Sequence, residues 1–233
     1  MSPSNTALPS SPRNREGNED IYEKIYVAIL EHRLVPGTKL AEERMAEIFK
    51  VSRARIREVL ARLAYEHIVE LIPNKGAFIA KPTVEQARDI FEARRIIEPA
   101  IMRRLASNMA AKQAAALREH IAQERQARKN DDKRAVIRLS GEFHNLCADL
   151  AGNVALSRSL RELTTLTCLI ILVYDAPTAH SCREDEHSMI VEALIEGNEA
   201  LASTLMSEHL DHIEGSVNLD VSLKEVDLAD IFT

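Results

Sequence analysis

At 233 residues, 45% of them hydrophobic and 28% charged, the chain is long enough for two domains of ordinary globular composition. Its longest apolar run, Leu166–Tyr174, is broken by Thr167 and is far too short to cross a bilayer, which excludes a membrane-spanning helix. A net charge of −6 argues against a uniformly basic, polyanion-coating surface, but the charge is uneven: residues 1–82 hold 13 basic and 11 acidic side chains (net +2), residues 83–233 hold 17 and 25 (net −8).

Three cysteines, Cys147, Cys168 and Cys182, form no CxxC pair, as expected for reduced thiols in a cytoplasmic protein. Few Gly and Pro against many Ala, Leu, Glu and Arg predict a mainly helical fold. The first 18 residues have no apolar core, so they read as a disordered arm rather than a signal peptide.

A first helix is predicted over about Glu19–His32, because Ile21, Ile25, Ile29 and Leu30 share one face at helical spacing. Leu34-Val35-Pro36-Gly37 is a turn. A second helix, about Ala41–Phe49, should bury Met45, Ile48 and Phe49. After a tight turn at Val51-Ser52, Ser52 caps a third helix over about Arg53–Glu66, with Ile56, Val59, Leu60 and Leu63 inward. Ile68–Ile72 and Ala77–Ala80 form a strand pair around Asn74-Lys75-Gly76. Thr83 and Gln86 form a capping-box pattern after Pro82, which sets the domain boundary between residues 19–81 and 83–216. Six or seven helices follow, over about 84–107, 111–129, 132–150, 154–174, 178–196 and 198–216. Residues 217–233 are an acidic tail.

The third helix carries Arg53, Arg55 and Arg57 in its opening turns, and Lys50–Arg62 holds five basic residues against the single acid Glu58. Donors at an exposed helix start over an apolar back are what a helix needs to enter the major groove of DNA. Arginine grips guanine O6 and N7 with two hydrogen bonds, or binds phosphate without reading sequence. Three arginines alone are equally a solvated face paired with Glu58 and Glu66. The preceding helix, the turn and the wing in register select the groove-reading alternative. Lys75 offers a positive charge at the wing tip, and Gly76 permits close backbone approach.

Residues 21–81 resemble the winged helix-turn-helix of GntR-type transcription regulators. The resemblance runs through IYEKIYVAIL, VPGTKL, LAEERMAE, VSRARIREVLARL and PNKGAFI, and departs from it at Ala54-Arg55, where a Thr-Pro pair is frequent. It implies DNA contacts by Arg53 and Arg57, then Arg44, Arg55 and Gly76; Ser52 at the helix start and Lys75 at the wing tip join them by position. Residues 83–215 resemble the all-helical, FCD-type effector domain of the FadR-like branch. The matching pieces are Arg94-x-x-x-Glu98, Phe143-His144, Ala151-Gly152-Asn153, Glu186-His187, Gly197 and Met206-x-x-His209-Leu210. The implied fold is mainly α, a winged helix-turn-helix followed by an antiparallel six- to seven-helix bundle. The implied function is a homodimeric, ligand-responsive regulator, with repression the commoner sign, reading a palindromic operator in double-stranded DNA and binding a small carboxylate effector.

Geometry is consistent with a shared pocket. His187 lies ten residues before Gly197 and His209 twelve after it. In an antiparallel hairpin both then sit about 15–18 Å from the turn. His144 on another helix completes three imidazoles suited to Zn²⁺ or Ni²⁺. Ser140 stands where the resemblance usually has a fourth, carboxylate ligand. The site therefore binds metal more weakly, recruits another group, or is metal-free. Arg94 and Glu98 form a simple i,i+4 pair, or, as the resemblance implies, Arg94 reaches into the pocket to hold the effector carboxylate. His180 and His212 belong to no pattern. Two further classes compete with the regulator: a metal-dependent enzyme on the three histidines, and a ligand-independent DNA-binding protein.

Overall fold

The computed structural model describes residues 17–174 and 185–219. The expected arm up to residue 16, the expected helix start at 178–184 with His180 and Cys182, and the tail from 220 lie outside the described residues.

The described chain opens with α1 (Asn18–Leu30), whose apolar stripe Ile21, Ile25, Ile29 is fully buried together with Tyr22, Tyr26 and Leu30. β1 (Lys39–Leu40), α2 (Glu42–Phe49) and α3 (Arg53–Tyr65) follow, then β2 (Val69–Ile72) and β3 (Gly76–Ile79). The sheet has three strands in the order β1-β3-β2, all antiparallel, with Ile72 opposite Gly76 and Leu40 opposite Ala77. β1 is one strand more than the expected pair; two residues are too short a run for periodicity to reveal. At the wing tip the Lys75 amide donates to the Ile72 carbonyl. Pro73 and Asn74 (φ 63°) fill the centre of that turn, and Gly76 follows at φ 104°, a torsion that glycine adopts without strain.

Ser52 caps α3: its hydroxyl oxygen accepts from the Arg55 amide at 3.3 Å. The cap fixes where the helix begins, and so where Arg53, Arg55 and Arg57 project. Ser52→Ala should cost about 1 kcal/mol, which chemical denaturation of the full chain would register. On the other face Ile56, Val59, Leu60 and Leu63 are all buried. One expectation fails in α2. Met45 is buried and Phe49 is partly buried against the core, but Ile48 is 59% exposed. A helix of eight residues presents only one narrow stripe to α3, and Ile48 falls outside it.

The remaining helices are α4 (Val84–Ala106), α5 (Ala111–Lys129), α6 (Lys133–Leu150), α7 (Val154–Tyr174), α8 (Glu186–Ile195) and α9 (Glu199–Ser216). Thr83 and Gln86 cap α4 reciprocally, as the capping box anticipates. α4 lies along α9, α5 along α6, α6 along α7 and α8 along α9, which sets several helix interiors around one core containing Ile101, Phe143, Leu160, Ile190, Met206 and Leu210. Cys147 and Cys168 are buried free thiols, and burial pushes the Cys168 thiol up to about 12, so both pack rather than react.

α1 also packs on α6 and α7. The Asn145 amide donates to Tyr26 Oη at 2.7 Å, and Arg161 donates to both Glu23 carboxylate oxygens at 2.6 and 2.7 Å. The Arg161 guanidinium also sits 4.0 Å from the centre of the Tyr26 ring. The helical half is thus fastened to the first helix of the winged half.

Candidate functional site

The exposed start of α3 is the first candidate. Arg53 and Arg57 are more than half exposed, and both reach Glu42 on α2, Arg57 Nε at 2.7 Å and Arg53 at 3.6 Å. Glu58 and Glu66 are engaged elsewhere, with Asn18 and with Tyr22 and Arg62. Exposed pairs of this kind contribute only about 0–1 kcal/mol, so a phosphate or a base edge can displace them. Arg44 pairs with Glu47 at 3.0 Å on the exposed side of α2.

The second candidate lies inside the helical half. His144 from α6, His187 from α8 and His209 from α9 are all buried, and they converge. His187 Nε2 lies 3.1 Å from His209 Nε2, which lies 3.3 Å from His144 Nε2. Each ring's other nitrogen meets a carboxylate: His144 Nδ1 with Glu98 at 2.5 Å, His187 Nδ1 with Glu124 at 2.9 Å, His209 Nδ1 with Glu186 at 2.7 Å. A carboxylate accepts, so each Nδ1 carries the proton and each Nε2 presents a lone pair. Three lone pairs then face one another with no proton between them, an arrangement that a cation relieves. Zn–N bonds of about 2.0–2.1 Å at tetrahedral angles would set the nitrogens about 3.3–3.4 Å apart, close to the separations seen. A carboxylate behind each imidazole is also how metal-binding histidines are held in tautomer and orientation. The residues present therefore fit a borderline divalent ion.

Burial alone would raise the Glu98 and Glu124 carboxyls, but their partners outweigh it and hold both at about 2: Arg94 and His144 for Glu98, His120 and His187 for Glu124. Burial lowers His144 and takes His209 down to about 3, so both rings are neutral at pH 7. Arg94 is buried, with Nε donating to Glu98 at 2.5 Å and one terminal nitrogen to Thr167 Oγ1 at 3.0 Å. Its other terminal nitrogen, Nη2, is buried with no partner among the described residues. Ser140 sits one turn before His144 on α6, half-buried, and among the described residues its side chain forms no hydrogen bond to the three histidines.

Comparison with known proteins decides what scaffold this is. Residues 18–79 match the family model described as bacterial regulatory proteins, gntR family, and residues 89–212, more than half the chain, match the FCD domain. The chain belongs to the GntR family of bacterial regulatory proteins. It is 26% identical over 201 residues to the HTH-type transcriptional repressor RspR of Escherichia coli K12, covering 86% of this chain and 88% of that one. It is also 26% identical over 205 residues to the HTH-type transcriptional regulator LutR of Bacillus subtilis 168, covering 78% and 92%. Its fold matches Escherichia coli McbR/YncC (TM-score 0.75, 16% identity, 85% and 95% covered) and a GntR protein from Rhodococcus sp. RHA1 (TM-score 0.72, 22% identity, 86% and 99% covered).

This GntR protein is accordingly a DNA-binding transcription regulator with a ligand-binding regulatory domain, and not an enzyme; the metal-dependent enzyme reading falls. Among the described residues no helix is long and apolar enough to cross a membrane.

Glu124 was missed in the sequence. The signal was there: Ala114, Leu117, Ile121 and Glu124 make one buried stripe on α5, and a carboxylate in an apolar stripe needs a partner. The same carboxylates fix an acid response. Glu98 at about 2 is protonated less readily than its unfolded counterpart, near 4.5, and His209 at about 3 less readily than unfolded histidine, near 6.5. The unfolded chain therefore binds more protons over both intervals, and stability is lost as pH falls. Metal-free protein should begin to lose melting temperature below about pH 6.5 and lose it more steeply below about 4.5. A melting temperature flat from pH 7 to 4 would contradict the buried histidine–carboxylate pairing.

Proposed function

We propose that this regulator is a cytoplasmic homodimer in which residues 19–81 bind a palindromic operator and residues 83–216 dimerise and bind the effector. Arg53 and Arg57 make the principal DNA contacts, assisted by Arg44, Ser52, Arg55, Lys75 and Gly76. The three-histidine centre holds a divalent ion, Zn²⁺ or Ni²⁺, through His144, His187 and His209. A small organic acid binds beside it, with Arg94 holding the carboxylate and Ser140 lining the pocket. The ion would supply positive charge and open coordination positions for the effector. With neutral Ser140 rather than a carboxylate, no anionic side chain competes for those positions.

The observation that carries the effector reading is the unpartnered Nη2 of buried Arg94. Its guanidinium is already oriented by Glu98, the same carboxylate that orients His144. A buried guanidinium donor without an acceptor is costly, and a ligand carboxylate removes that cost. Repression is the proposed sign, by likeness to RspR, which is named a repressor. Effector occupancy shifts the populations of two arrangements of the DNA-binding domains, which requires different affinity for each. The test is a thermal-shift screen of small carboxylic acids with and without Zn²⁺. An acid that stabilises only the Zn²⁺-loaded protein, and not Arg94→Ala, supports the reading; no acid stabilising either form opposes it.

A further inference from the structure

The three-histidine centre is buried, so an ion needs a route to it. One cavity touches the centre from the surface. It measures about 270 Å³ and is lined by Asp185, Glu186, Met189 and the α9 side chains Leu205, Glu208, His209 and His212. Its inner wall includes His209, a ligand of the proposed centre. Its outer wall includes His212, 46% exposed. Glu186 joins the two: one carboxylate oxygen accepts from His209 Nδ1 at 2.7 Å and the other from His212 Nδ1 at 2.6 Å.

The chemistry of that wall suits a cation. Asp185, Glu186 and Glu208 line it, and among the described residues no lysine or arginine does. Such a funnel concentrates a divalent ion. With Nδ1 committed to Glu186, Nε2 is the nitrogen His212 has left to offer. The space is ample: six waters of hydration need about 180 Å³ at roughly 30 Å³ each.

We propose that this cavity is the loading port of the metal centre, in which His212 and the carboxylates of Asp185 and Glu208 take up the hydrated ion and pass it to His209. The inference rests on the metal reading above. In the transfer, bound waters leave and imidazole nitrogen replaces them. No proton is released from His209, because its Nε2 carries none.

The test uses metal-free full-length protein and Zn²⁺ alone. Uptake is followed against a colorimetric zinc indicator, loss is followed after adding excess chelator, and occupancy is measured at equilibrium. His212→Ala removes the outer ligand. Met189→Trp fills the mouth at a half-exposed position without touching a histidine, and it introduces the chain's only tryptophan, whose emission reports whether the ring is shielded there. Both variants should slow uptake and loss at least threefold, with equilibrium occupancy changed less than twofold. Uptake and loss unchanged in both variants, while the wild type loads, would overturn the port and leave the metal centre standing. Faster loss with reduced occupancy in His212→Ala would make His212 a resident ligand and overturn it too. A wild type that takes up no Zn²⁺ would refute the centre itself, and the port with it.

Discussion

Arg57→Ala should weaken operator binding at least tenfold while leaving the helical circular-dichroism signal unchanged. A bidentate arginine–guanine contact contributes about 1–3 kcal/mol of discrimination, and a homodimer loses it in both half-sites. Folding should be spared, because the Arg57 side chain is 60% exposed and its ion-pair partner is the surface residue Glu42. The converse change sharpens the test. Glu42 holds both Arg57 and Arg53. Glu42→Gln releases two guanidinium groups from exposed pairs worth about 0–1 kcal/mol each and removes a negative charge from beside the groove. Operator affinity should then rise about two- to fivefold, and fall more steeply with salt than that of Arg57→Ala, which has one cation fewer for phosphate. Fluorescence anisotropy at several salt concentrations measures both. Unchanged affinity in Arg57→Ala would remove α3 from the interface.

The winged half was legible because its signals are local. Ser52 sits where a cap must sit, the Ile56–Leu63 stripe has helical period, and Asn74-Lys75-Gly76 breaks two apolar runs at the wing tip. What escaped depended on neighbours distant in sequence. Glu42 as the partner of Arg53 and Arg57, in place of Glu58 or Glu66, follows from how α2 crosses α3. Ile48 is apolar and at helical spacing, yet nothing in the sequence states how little of α2 finds cover. In the helical half, the meeting of His187 and His209 was readable from their distances to Gly197, because two helices joined by a short turn run back along each other. That each imidazole is backed by its own carboxylate was not. Glu98 and Glu124 come from α4 and α5, and only packing brings them to His144 and His187.

Zn²⁺ added to metal-free protein should raise the melting temperature by about 5–11 °C. At 100 times its dissociation constant a ligand stabilises by about 2.7 kcal/mol, and in a chain of this size each kcal/mol moves the midpoint by about 2–4 °C. His209→Ala should abolish the shift, since it removes the nitrogen that lies within 3.3 Å of both others. It also takes one donor from Glu186, which still accepts from His212 and so is not left bare. Metal analysis of protein purified without an affinity tag gives the second reading. Less than about 0.1 equivalent, with no thermal response to Zn²⁺ or Ni²⁺, would mean that the three facing nitrogens are satisfied by water or a shared proton.

Both results bear on one statement, that α3 carries sequence recognition and the helical half governs it. The direct measurement is enrichment of preferred duplexes from a random pool, then competition of the best duplex against random DNA at fixed salt. Recovery of one palindromic sequence bound about a thousandfold or more tighter than random competitor, with that preference changed by an effector acid in the presence of Zn²⁺, is the expected result. Equal affinity for enriched and random duplexes, whatever acid or metal is present, would contradict it.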